Sequence, residues 1–298
     1  MYDIIVVGAG PAGLTAAIFA RRANKKVLVI EAKSYGGQIL NATHIENYPG
    51  FEVISGFDYA EKLYNQAKKL GAEIIFETVE RVNEDRTVIT NKNTYSAKAV
   101  ILATGVQSRK LNIENESSYI GKGISYCATC DGNFFRGKTV AVVGGGDAAI
   151  DDANYLADIA NKVYLIHRRD EFRAEKSDLD ILKQRNNVEF ILNANVKKLN
   201  GEDKLESIDV VFNDETEKNI LIDGLFIAVG QEPKNEMFSN VVDLNEYGYI
   251  ISDDGVHTKT KGIYVAGDNR IKMLRQLTTA VSDGSVAATM AIKEFNDL

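Results

Sequence analysis

One supersecondary unit occurs twice in this chain at identical spacing, and that repeat constrains the fold more than any other feature. Residues 3–7 read as a buried strand, followed by Gly8-Ala-Gly10-Pro-Ala12-Gly13. An alanine-rich helix then runs to about Ala23, and an apolar strand over residues 27–30 ends at Glu31. Residues 139–143 read as a second buried strand, followed by Gly144-Gly-Gly146-Asp147-Ala148-Ala149. Here too a helix follows, to about Ala160, and a strand over residues 163–166 ends at His167. The separation from first glycine to post-strand residue is 23 positions in both copies, Gly8 to Glu31 and Gly144 to His167. Between a strand and a helix, each glycine has a physical reason. The first permits the tight turn, the second lets backbone approach a pyrophosphate, and the third position seats helix on strand. The free N–H groups of the helix N-terminus then attract phosphate. Two dinucleotide-binding units are expected.

The halves run parallel beyond this point. Each continues with a polar–apolar helix (about residues 58–70 and 175–184) and short alternating strands. An apolar strand then leads into Ala103-Thr-Gly105 in one half and Ala228-Val-Gly230 in the other. The second half is read as inserted into the first, entering near residues 112–118 and leaving near 240–246. The expected domains are 1–113 with 244–298, and 114–243. A length of 298 residues suits two domains, and 45% apolar residues suffice to build their cores.

Side chains after the second strand of each copy separate the two nucleotides. Glu31 can accept hydrogen bonds from the 2′- and 3′-hydroxyls of an adenosine ribose, which suits FAD or NAD. The other copy carries His167-Arg168-Arg169, with Arg173 one turn further on. A carboxylate there would repel a 2′-phosphate, whereas arginine forks bind one through charge-assisted hydrogen bonds. FAD has no 2′-phosphate, so the first unit is assigned FAD and the second NADPH. An ordinary solvated basic face is the competing account of the arginines. Gly36-Gly37-Gln38 would let a ligand lie against backbone close to Glu31. Near the end, a strand over residues 262–265 runs into Ala266-Gly267-Asp268, and a helix begins near Arg275-Gln276-Leu277. The N-terminus of that helix beside a flavin would stabilise negative charge on the reduced ring. Ala280, Gly284, Ala287 and Ala288 on it imply close approach of either a flat ligand or another backbone.

Cys127-Ala-Thr-Cys130-Asp131-Gly132 holds both cysteines of the protein. A two-residue gap at a helix start lets the sulfurs meet in a small-ring disulfide, and the helix N-terminus would lower a thiol pKa. Zinc and a pair of inert buried thiols are the alternatives. A structural zinc takes about four ligands, and the three histidines, His44, His167 and His257, are distant from the pair and from one another in sequence; no metal is expected. Asp131 could serve as the proton donor or acceptor of dithiol chemistry, or be a solvated acid in the first turn of a helix.

The net charge of −7 argues against a nonspecific binder of nucleic acid. The N-terminal residues lack the basic stretch of a signal peptide, and no run approaches the roughly 18 apolar residues of a membrane span. A cytoplasmic location is expected.

Taken together, residues 8–13, 36–38, 46–50, 127–132, 144–149, 167–174 and 267–277 make the chain resemble, over essentially its whole length, the low-molecular-weight, bacterial-type NADPH-dependent thioredoxin reductases of the class II pyridine nucleotide-disulfide oxidoreductases. The resemblance implies an α/β fold of two Rossmann-like, three-layer ββα dinucleotide-binding domains, the second inserted into the first, assembled as a homodimer. It implies FAD contacts at Gly8, Gly10, Ala12, Gly13, Glu31, Gly36, Gly37, Gln38, Asn47, Gly105, Gly267, Asp268, Arg275, Gln276 and Leu277. NADPH contacts are implied at Gly144, Gly146, Asp147, Ala148, Ala149, His167, Arg168, Arg169 and Arg173. By the same resemblance Cys130 faces the flavin, Cys127 attacks the thioredoxin disulfide and Asp131 is the acid/base. A hydride passes from NADPH to FAD, and the electron pair goes on to the Cys127–Cys130 disulfide and to thioredoxin. The resemblance also implies that the inserted domain swivels as a unit about the two joining stretches. A related flavin-dependent disulfide reductase or dithiol oxidase with another thiol partner is the rival, and a nucleotide-holding redox sensor without turnover is a third reading. Asn269 stands where a small apolar residue is common, and Asp151-Asp152 where glutamates are frequent.

Overall fold

Short apolar runs closed by glycine turns dictate parallel strands, and amphipathic runs between them dictate the covering helices. A computed structural model describes residues 1–42 and 44–294. In chain order, β1 (Tyr2–Val7), α1 (Pro11–Arg22), β2 (Val27–Glu31) and α2 (Gly56–Lys69) are followed by β3 (Glu73–Phe76), β4 (Val79–Val82), β5 (Thr87–Thr90) and β6 (Thr94–Leu102). A short strand, β7 (Gln107–Ser108), leads to β8 (Ile124–Ser125), the single turn α3 (Ala128–Asp131), β9 (Thr139–Val143), α4 (Asp147–Ala157) and β10 (Lys162–His167). Next come α5 (Lys176–Lys183), β11 (Val188–Leu192), β12 (Ala194–Asn200), β13 (Ser207–Phe212), β14 (Glu217–Leu221) and β15 (Gly224–Ile227). The strand β16 (Gln231–Glu232) leads back to β17 (Ile263–Val265) and α6 (Leu277–Lys293).

Two compact units result. Unit 1 comprises residues 1–40, 48–107 and 232–298, and unit 2 comprises 41–47 and 108–231. The chain therefore crosses between units ahead of the stretches expected at 112–118 and 240–246. Core packing explains the shift. Phe238, Val241 and Val242 are fully buried in the core of unit 1, whereas Leu111 and Ile113 pack on the core of unit 2.

In unit 1 the strand order is β3-β2-β1-β6-β5-β4. Strand β6 is long enough for two pairings: its first residues run antiparallel to β5, and its last run parallel to β1 and β17. Helices α1 and α6 cover this sheet close together. A Cβ on Gly284 would stand 2.1 Å from the Ala12 carbonyl oxygen, so the small residues of α6 admit the backbone of α1 and the choice left open by the sequence is decided. Gly284→Ala is expected to lower stability by about 1–3 kcal/mol, the usual overpacking cost, read as a lower urea midpoint. A midpoint at or above that of the parent would contradict this packing.

In unit 2 a parallel sheet of order β11-β10-β9-β15-β8 is joined by the antiparallel sheet β12-β13-β14. The register of β9 against β10 and β15 carries the strand ends Val143, Ile166 and Ile227 to one edge, where the glycine turn at 144–146 begins. The register of β1 does the same for Val7, Ile30 and Leu102. Both nucleotide turns thus lie at the carboxyl ends of parallel strands, where ligands of such sheets bind.

Candidate active site

In unit 1, Gly8 takes a φ of +108°, which a side chain would resist. Gly13 lies so near that a Cβ on it would stand 2.0 Å from the Gly8 carbonyl oxygen. Turn and helix are locked by absence of side chains. Gly10 caps α1, and a Cβ there would meet nothing within 4 Å, so its cradle is open. The Glu31 carboxylate accepts the Ala9 N–H at 2.9 Å and the Lys33 N–H at 2.9 Å, holding it beside the turn. The Gly36 N–H bonds the Ala9 carbonyl at 2.8 Å, and a Cβ on Gly37 would come 3.5 Å from the Gly10 Cα. Gln38 donates to the Val106 carbonyl at 3.0 Å, which brings it beside Gly105. Gly267 faces Ala12, with 3.0 Å between its hypothetical Cβ and that of Ala12.

Asp268 has one carboxylate oxygen buried without a hydrogen-bond partner. Burial pushes its carboxyl up, against the pull of Lys272 and Arg275. A buried carboxylate oxygen with no hydrogen-bond partner, 3.6 Å from Lys272 Nζ, an open glycine cradle at a helix N-terminus and a fixed carboxylate at Glu31 fit FAD. Arg275 donates to the Asp268 and Arg270 carbonyls at 3.3 Å each and lies over the Tyr249 ring at 4.1 Å, which orients the loop ahead of α6. The Gln276 N–H bonds the Thr279 hydroxyl at 3.1 Å, closing the first turn of α6 at Leu277. Asn47 lies in the segment 41–47 that belongs to unit 2, so unit 1 does not gather it with the other expected FAD contacts.

Sequence reading missed the network behind Asp268. Asp283, nearly buried on α6, receives Arg270 and Lys272 at 3.0 Å each and the Gly267 N–H at 3.0 Å. Charged residues in a helix of small ones were the available signal. Asn269 is fully buried, donating to the Leu102 carbonyl at 3.2 Å and to Thr104 at 3.1 Å. It stands where a small apolar residue is common because it ties the loop to the end of β6.

In unit 2, Gly146 caps α4 with open space about it, as Gly10 does for α1. Ala149, in the third position, is buried, and a Cβ on Gly144 would strike it at 2.6 Å. The segment after β10 is folded back on this turn. The Arg173 N–H bonds the Gly145 carbonyl at 2.8 Å, and Asp147 accepts the Glu175 N–H at 2.9 Å. The His167 ring covers Gly145 and stacks on Phe172 at 5.0 Å between centroids. Burial, and then the three arginines, lower its pKa. Ala148, Arg168, Arg169 and Arg173 are exposed. An open helix N-terminus next to three exposed guanidinium groups fits a dinucleotide bearing a 2′-phosphate.

Cys127 and Cys130 form a disulfide, their Cα atoms 5.3 Å apart. The helix expected to start here is one turn, Ala128–Asp131, continued by a 3-10 turn over Gly132–Phe135. So short a helix gathers little dipole, and the thiol activation expected from it is correspondingly small. Asp131 is not the solvated acid its position allowed. One oxygen accepts the Ser125 hydroxyl at 2.6 Å, and the other is buried without a partner. Burial raises its pKa, against opposing contributions from Ser125 and His44. Ser125 also accepts the Cys127 N–H at 3.1 Å, linking acid and cysteine. No motif announced Ser125.

Over residues 2–284 the chain matches the family described as pyridine nucleotide-disulphide oxidoreductase. It is 42% identical to the thioredoxin reductase of Bacillus subtilis (strain 168), covering 97% of this chain and 93% of that one. The thioredoxin reductase of Mycoplasma genitalium is also 42% identical, over 99% of this chain and 95% of that one. Among solved structures, that of thioredoxin reductase from Streptococcus pyogenes superposes with a TM-score of 0.95 at 40% identity, covering 100% of this chain and 99% of that one.

Proposed function

The chain belongs to the pyridine nucleotide-disulphide oxidoreductase family, and from that membership we propose that it is a thioredoxin-disulfide reductase using FAD and NADPH. The observation that carries this reading is the Cys127–Cys130 disulfide with a buried carboxyl directly after it, on a chain whose relatives along its full length are thioredoxin reductases. Bound FAD supplies a two-electron relay between NADPH and the disulfide. Unit 1 holds FAD through the glycine turn, Glu31 and Asp268. Unit 2 holds NADPH through the second turn and its arginines. The active form is a cytoplasmic homodimer, and no helix among the described residues is long and apolar enough to cross a membrane.

Once reduced, the pair works by thiol–disulfide exchange. The Cys127 thiolate attacks one sulfur of the partner's disulfide, that S–S bond breaks, and the released partner thiolate takes a proton. Cys130 then attacks the Cys127 sulfur of the mixed disulfide and frees the second partner thiolate. Two electrons and two protons reach thioredoxin, and the Cys127–Cys130 disulfide is restored. Asp131, whose pKa burial raises, supplies and accepts the proton at the cysteines. Asp131→Asn is expected to slow thioredoxin reduction by about a hundredfold or more, the usual scale of general acid–base assistance. NADPH should bleach the flavin of that variant at the parent rate, and undiminished thioredoxin turnover would remove Asp131 from the mechanism. The function itself is tested by NADPH oxidation without oxygen, offering oxidised thioredoxin or oxidised glutathione. Fast turnover with thioredoxin alone is expected. Turnover with glutathione alone would assign a different thiol partner.

A further inference from the structure

The loop ahead of α6 brings two cations onto one carboxylate of that helix. Arg270 and Lys272 lie two positions apart and face the same way, while Ile271 between them is exposed, as on an extended chain. Both reach Asp283. Arg270 donates through Nε to Asp283 Oδ2 at 3.0 Å and through Nη2 to Oδ1 at 3.1 Å. Lys272 Nζ donates to Oδ2 at 3.0 Å, and the same oxygen accepts the Gly267 N–H at 3.0 Å. The Lys272 side chain is 6% exposed and that of Asp283 9%, so solvent screens this pair little.

Lys272 stands between two carboxylates and is hydrogen-bonded to one of them. Its Nζ lies 3.6 Å from Asp268 Oδ1, beyond hydrogen-bond reach, and that oxygen is buried with no hydrogen-bond partner. Arg270 has further anchors in the Ser252 hydroxyl at 3.2 Å and the Ile271 carbonyl at 3.4 Å. The hold on Lys272 comes from Asp283. Burial works against the charge of both acids, but Arg270 and Lys272 keep the Asp283 carboxyl below the usual carboxylate range, whereas that of Asp268 is raised.

We propose that Asp283 is a positioning residue for FAD: it holds the Lys272 ammonium off Asp268, so that one Asp268 oxygen stays unpaired for a donor of the cofactor. This rests on the reading of unit 1 as the FAD site and adds to it a residue that acts through a lysine. Without the negative charge at position 283, Lys272 completes its approach to Asp268 and occupies that oxygen.

The test titrates flavin-free protein with FAD, reading affinity from flavin fluorescence and folding from far-UV circular dichroism. Asp283→Asn keeps an acceptor for the Gly267 N–H and drops the charge. A hydrogen bond to a charged group is worth roughly one to two decades, so D283N should bind FAD at least about tenfold more weakly than the parent. Lys272→Met should bind at least as tightly as the parent. The double variant D283N/K272M should return to the parent affinity, because the ammonium that blocks Asp268 is gone and the two positions are coupled. Parent affinity in D283N would overturn the proposal. So would a double variant no better than D283N, or K272M weakened as D283N is, which would make the lysine itself a support of the cofactor. If D283N does not fold, the double variant decides: folded protein with parent affinity upholds the proposal, and weaker binding or no folding refutes it. Asp268→Asn probes the underlying site and should weaken FAD binding by itself. Weak binding in D268N without rescue in the double variant sinks this inference alone. Parent affinity in D268N removes Asp268 from the cofactor site and takes the inference with it.

Discussion

Cys130→Ser is expected to reduce thioredoxin turnover to the background rate while NADPH still bleaches the flavin at full speed. The chain has two cysteines and both are in the one disulfide, so no other thiol can replace the one removed. The proposed nicotinamide site draws on other residues, those at 144–149 and 167–173, and should survive the substitution. The loss therefore falls on one half-reaction and spares the other, which an unfolding defect would not do. Cys127→Ser should give the same block with a different signature. It leaves Cys130 as the single thiol; on the proposal that this sulfur faces the flavin, its thiolate should produce a long-wavelength charge-transfer band with oxidised FAD. Should the band appear in Cys130→Ser and not in Cys127→Ser, the two cysteines exchange roles. Retained turnover in either variant would sink the exchange scheme.

The second large effect concerns the choice of nicotinamide. Arg168 and Arg169 are exposed beside the open N-terminus of α4, and the backbone of Arg173 is fixed to Gly145. Losing one charged phosphate contact costs roughly 1.5–3 kcal/mol, about one to two decades in affinity. Replacing Arg168 and Arg169 together with glutamine should raise the KM for NADPH by at least that factor and leave the KM for NADH nearly unchanged, since NADH has no 2′-phosphate to lose. High salt should narrow the difference between parent and variant, because exposed charge interactions are screened. Equal losses with both nicotinamides would mean that the arginines form a solvated face and do not read the phosphate.

Much of the fold was legible because its rules are local. Residues 139–143 were expected as a strand, and β9 spans Thr139–Val143. The glycine turns, the apolar strands entering Gly105 and Gly230, and the small residues of α6 each follow from steric demands that a sequence displays directly. The site was less legible where it depends on burial from a distance. Asp131 follows Cys130 in sequence, but its buried, unpartnered oxygen comes from residues brought over it by the fold. Ser125 and Asp283 belong to no motif. Each acts by meeting a backbone N–H or a carboxyl from another element, and such meetings are set by packing. The helix at the cysteines was overestimated for the same reason. The pattern of residues 127–132 allows a helix start, while the packing of Gly132 against Tyr155 and Leu156 accompanies its end after one turn. The division of the chain followed the cores, so residues such as Phe238 and Val241 shifted the crossing point ahead of the stretch that the repeat marked.

The central claim is that electrons from NADPH arrive at Cys127 and Cys130, and a thiol count tests it most directly. Enzyme loaded with FAD is treated with NADPH without oxygen, then denatured and alkylated, and the labelled cysteines are counted by mass. The oxidised protein has no free cysteine. The account predicts no label before NADPH and both Cys127 and Cys130 labelled after it. A flavin that bleaches while both cysteines remain unlabelled would contradict it.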